Sequence, residues 1–97
     1  MFRHVTLFRW AEGTTDGQVQ DIQRALEQLP SAIRELRGYR TGPELKKSDG
    51  TWDFAVVADF DNADDWATYL DHPAHQMVRA DLILPVLGER ATVQYEY

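Results

Sequence analysis

The chain has no cysteine among its 97 residues, so neither disulfides nor thiolate metal centres can hold it together. Basic residues are scarce: ten Lys and Arg stand against sixteen Asp and Glu, for a net charge of -6. Such an acidic surface repels phosphate backbones, which argues against nucleic acid as a partner. Long hydrophobic runs are absent too. No stretch approaches the ~18 apolar residues of a membrane span, so no membrane partner is expected. The opening "MFRHVTLFRW" carries charges where a signal peptide has its apolar centre. The expectation is a cytoplasmic protein. With 43% hydrophobic and 27% charged residues, no repeat and no linker, residues 1–97 read as one globular domain.

Residues 2–10 are rich in β-branched and aromatic types and read as a strand. Phe2, His4, Thr6, Phe8 and Trp10 share one face of it, and Arg3, Val5, Leu7 and Arg9 the other. Thr15 and Gln18 fit a capping box. Val19, Ile22, Leu26 and Leu29 then follow at helical spacing until Pro30 interrupts, with "SAIREL" expected to add a further turn of helix. "YRTGPEL" and "WDFAVVADF" read as strands joined through a turn at Asp49-Gly50. "DNADDWATYL" has the acidic start of a helix. Pro73 restarts it with His72 as cap, and this second helix is expected to run to about Leu84. "RATVQYEY" closes the chain as a strand.

The resulting order, β-α-β-β-α-β, is the ferredoxin-like α+β plan, a four-stranded antiparallel sheet with helices on one face. The strands are apolar on both faces, however. Phe54 and Val56 oppose Ala55 and Val57, and Phe8 opposes Val5 and Leu7. A sheet with one wet face should alternate apolar and polar residues. The second face therefore calls for a partner sheet, most simply from a second copy, giving a homodimeric α/β barrel.

Three histidines and one tyrosine offer chemistry. His72 reads as a cap. His75, in the first turn after Pro73, is expected to be held neutral by the helix N-terminus, in a state that accepts a proton. Tyr69 points inward before the break, and His4 lies on the Phe2–Phe8 face. These three are expected to converge on a pocket for a small ligand, lined by Phe8, Phe54, Val56, Trp66, Val78 and Leu82. Arg79, one turn beyond His75, is placed at the surface within reach of an acidic ligand. No metal site is expected, since the His72–His75 spacing is poor and no acidic third ligand accompanies it.

The segments "RHVTLFRW", "WDFAVVADFDNADDWATYLDHPAHQ" and "LPVLGERATVQYEY", with "GT" leading into the first helix, resemble the stress-responsive A/B barrel (Dabb) family over nearly the whole chain. The resemblance implies the ferredoxin-like dimeric barrel. Plant members include a stress-induced, stable oligomeric protein. They also include olivetolic acid cyclase, which closes a linear polyketide acid by aldol condensation and needs no cofactor. Its Y-x-x-H-P-x-H segment supplies the tyrosine and histidine that act, and these match Tyr69 and His75. Its first-strand histidine matches His4, whereas a further pocket histidine falls at Phe54. The resemblance thus leaves two functions open. One is a cofactor-free cyclase- or lyase-like site acting on a small carbonyl compound. The other is a non-catalytic stress or assembly protein working through its oligomer.

Overall fold

The computed structural model describes all 97 residues. The elements are β1 (Phe2–Trp10), α1 (Asp16–Glu27), a short α2 (Leu29–Ala32), β2 (Gly38–Pro43), β3 (Phe54–Phe60), α3 (Ala63–Asp71), α4 (Pro73–Val78) and β4 (Leu87–Glu96). A π turn over Arg79–Ile83 and a 3₁₀ turn over Leu84–Val86 join α4 to β4. The strands form one antiparallel sheet in the order β2-β3-β1-β4. This is the ferredoxin-like arrangement expected from the element order.

The two faces of the sheet have different fates. Phe8, Phe54, Val56, Ala58 and Phe60 are buried on the inner face against Ile22, Leu26, Leu29, Ile33, Tyr69 and Ile83. Burial alternates strictly along β3, the period of two that one covered face imposes. On the outer face Val5 pairs with Val57 on one side and Val93 on the other, and Leu7 pairs with Ala55 and Ala91. No element of the chain covers this apolar strip. The edge strand β4 is inverted in character. Its inner residues Arg90, Thr92 and Gln94 are polar, while Ala91, Val93 and Tyr95 face outward, with Val93 55% exposed.

Local chemistry sets the boundaries. Thr15 and Gln18 form the reciprocal capping box. Helix α2 ends at Ala32, short of the turn expected from "SAIREL", because Ile33 turns extended and becomes fully buried. Strand β3 begins at Phe54, not Trp52: Asp53 is taken up in the connection, its carboxylate accepting the Trp10 N–H at 2.9 Å. Strand β4 starts earlier than expected, at Leu87. A bulge at Arg9/Trp10 brings its backbone close, and a Cβ on Gly88 would lie 3.0 Å from the Arg9 carbonyl oxygen. Pro43 is tolerated because β2 is an edge strand.

Candidate functional site

The Pro73 break builds the site. Proline has no N–H to give, so α3 ends and the His72 N–H closes on the Tyr69 carbonyl at 3.2 Å. The His72 ring Nδ1 then caps α4 by accepting the Ala74 N–H at 3.1 Å. This diverts from Leu70 the donor that a continuous helix would have supplied. The freed Leu70 carbonyl accepts instead from two side chains, His75 Nδ1 at 3.2 Å and Gln76 Nε2 at 2.6 Å. A carbonyl only accepts, so His75 carries its proton on Nδ1. Its Nε2 lone pair makes no hydrogen bond within the chain.

His75 lines a cavity of about 80 Å³ between the sheet and α4. His4, Thr6, Tyr39, Tyr69 and Arg79 share its wall. The Tyr69 and His75 rings lie 4.3 Å apart, centroid to centroid. The Tyr69 hydroxyl meets that of Tyr39 at 3.2 Å. Burial raises the pKa of both tyrosines above that of an ordinary phenol, so both are neutral donors at neutral pH. The pKa of His75 is lowered, chiefly by burial. The Leu70 hydrogen bond opposes this, and the charges of Arg79 and Arg90 reinforce it. The direction is the one expected, but the cause is burial rather than the helix terminus.

His4 is differently placed. Both its ring nitrogens are engaged, Nε2 with the Thr6 hydroxyl at 2.9 Å and Nδ1 with the Gln94 amide at 2.7 Å. Burial first, then Arg90, lowers its pKa to about 4. A ring so held is a fixed neutral wall of the cavity and has no free nitrogen for proton transfer.

This neutral burial makes stability depend on pH. Unfolded His4 binds a proton near pH 6.5, and folded His4 only near 4. Stability must therefore fall as pH drops from 6.5 toward 4. One such group accounts for roughly 2 kcal/mol between pH 7 and pH 5. Urea unfolding should show at least this difference in the wild type, and His4→Gln should lose the His4 share while the part due to buried His75 remains. An equal slope in both proteins would remove His4 as its source.

Phe8 and Val56 border the cavity. Phe54 lies off it, packed in the core with its ring tilted against those of Phe8 and Trp10 at 6.3 and 5.7 Å. Val78 and Leu82 also lie off it, packed against the core. The π turn is wider than an α turn, and the face sharing the cavity with His75 is Arg79, Ile83 and Leu84. Trp66 borders a separate open groove of about 460 Å³. Its buried Nε1–H has no partner in the chain. Groove and cavity share His4, Leu70, His75, Arg79 and Arg90, so they adjoin at these residues. Tyr39, Arg90 and Gln94 are the site residues that sequence reasoning missed. Tyr39 had a signal in its strand parity: it sits opposite Ala58, on the covered face.

A ferredoxin-like α+β sheet with a largely apolar cavity beneath its helices, bearing a few convergent polar groups, defines a small-domain class with one candidate site. The chain belongs to the stress responsive A/B barrel domain (Dabb) family, whose sequence profile matches residues 2–97. A dimeric ferredoxin-like protein of unknown function from Thermobifida fusca is 44% identical. It superposes with a TM-score of 0.92 over 99% of this chain and 90% of its own. An uncharacterised protein of Streptomyces coelicolor is 31% identical over 78 residues, 78% of this chain and 80% of that one. A hydroxynitrile lyase from Passiflora edulis shares the fold at 18% identity, with a TM-score of 0.81 over 97% of this chain and 90% of its own.

Proposed function

We propose that the protein is a cytoplasmic homodimer whose cavity binds the carbonyl end of a small molecule and moves a proton at the adjacent carbon, without a cofactor. One observation carries this reading: the unshared His75 Nε2 and the Tyr69–Tyr39 hydroxyl pair border the same cavity. His75 Nε2 would take a proton alpha to the carbonyl, and the C–H electron pair would move onto the carbonyl oxygen. Tyr69, itself hydrogen-bonded to Tyr39, would donate to that developing oxyanion. Return of the proton to the same carbon gives exchange, and its delivery to a different carbon of a conjugated substrate completes an isomerisation. Attack of the enolate on a second carbonyl gives a cyclase, and cleavage of a neighbouring bond gives a lyase. The hydroxynitrile lyase above supports the fold alone at its level of identity, so the chemistry rests on the site.

Size limits the ligand. The cavity of about 80 Å³ is well below the roughly 300–1,000 Å³ of ordinary small-molecule pockets, so it takes only part of a ligand. A polyketide-like chain would place its reacting end there and the rest in the groove. The same small volume favours the second reading, a non-catalytic protein that acts through its stable oligomer. Both readings include the dimer, supported by the uncovered apolar sheet face and by the dimeric description of the 44% identical protein.

Exchange of α-protons separates them. In D₂O, NMR should detect catalysed deuterium uptake into acetoacetate or levulinate. Tyr69→Phe should slow it on the order of 10²-fold, the usual loss for one oxyanion donor. Absence of catalysed exchange, with His75 titrating as a free imidazole, would leave the oligomer as the function.

A further inference from the structure

We infer that the site selects a carboxylate-bearing substrate, a keto acid, and that Arg79 and Arg90 receive its carboxylate at the junction of cavity and groove. This rests on the carbonyl-binding reading above and names the substrate class for that site.

Both arginines border both spaces, and they arrive from different elements. Arg79 opens the π turn after α4, and Arg90 lies on the inner face of β4, directly opposite Phe8. Both are exposed. Of the ten basic residues, Arg3, Arg9, Arg24, Arg34 and Arg37 are each in an ion pair. Arg40, Lys46, Lys47, Arg79 and Arg90 are in none, and of these five only Arg79 and Arg90 border the cavity and the groove. Asp71 is the groove's one acidic residue, and it is not within ion-pair distance of either. The groove's other polar groups, Gln76, Thr92, Gln94 and the partnerless Trp66 indole N–H, include several donors. Two free guanidinium groups at the mouth of a small cavity, with neutral imidazoles and phenols behind them, suit an anionic group outside and an uncharged one inside. A carboxylate fits the planar fork of a guanidinium, and a ketone fits the neutral hydroxyl pair.

The charge also assists the chemistry. Before the substrate binds, these two charges disfavour an imidazolium at His75 and so keep the base unprotonated.

The test titrates the protein with acetoacetate and levulinate and with their uncharged methyl esters, reading the His75 and His4 ring signals by NMR. The acids should bind at least tenfold more tightly than the esters, with a preference that weakens as salt rises. Arg79→Gln combined with Arg90→Gln should bring acid and ester to equal affinity. Arg79→Lys with Arg90→Lys should restore part of the preference. Acid and ester binding alike in the wild type would overturn the carboxylate assignment and leave the carbonyl site standing. No change in either histidine with any of the four compounds would overturn both. Both positions are on the surface, and a circular dichroism spectrum matching the wild type confirms that the double variants fold.

Discussion

His75→Ala should reduce α-proton exchange by 10²- to 10⁴-fold, the usual contribution of a positioned general base. The fold should survive this change for a structural reason. The Leu70 carbonyl that holds His75 is also bonded by Gln76 at 2.6 Å, so the helix break keeps a donor. His4 cannot take over the role, because Thr6 and Gln94 occupy both its ring nitrogens. The wild-type rate should also follow His75. The base acts when neutral, so the rate is high above its folded pKa and falls as pH drops through it. Burial and the two arginines place that midpoint below 6.5. Exchange in His75→Ala at the wild-type rate would assign the base to another group. Exchange that increases toward acid would reverse the assumed protonation state.

Much of this site is legible in a short segment. His72-Pro73 predicts a helix break and a cap, and both follow from local chemistry that needs no tertiary information. The parity of β1 likewise sends His4 to the covered face with Phe8. The unread parts depend on contacts distant in sequence. Gln94 meets His4 across 90 residues, through a register fixed by strand pairing. Tyr39 meets Tyr69 only because β2 pairs beside β3 in a register that turns Tyr39 to the sheet face α3 covers. The placing of Leu82 assumes a uniform helix, and a five-residue π turn leaves no mark in apolar spacing. The outer face was legible by composition, yet its sharpest signal is the inverted polarity of β4, which appears only once Val93 is seen opposite Val5.

That pairing sharpens the test of the dimer. Val57→Asp should weaken association by placing a charge between two apolar sheets, and two-fold symmetry would bury two such charges at once. Val57, however, lies directly opposite Arg40 on β2. An aspartate there can pair with Arg40, as Asp59 pairs with Arg3 at 2.7 Å on the same face. Val5 has no such relief. It sits on a central strand between Val57 and Val93, with no cation directly across on either side. An uncompensated buried charge costs several kcal/mol in each copy. Val5→Asp should therefore raise the dimer dissociation constant by at least about 10³-fold and leave a monomer at micromolar concentration. Val57→Asp should show a smaller shift. Sedimentation equilibrium of the two variants measures the order directly. The inner face is untouched by either change, so the circular dichroism spectrum and the His75 ring signals should match the wild type. A Val5→Asp protein that stays dimeric would move the interface off this face of the sheet. Equal effects from both variants would mean that Arg40 is drawn away from position 57 in the assembled dimer.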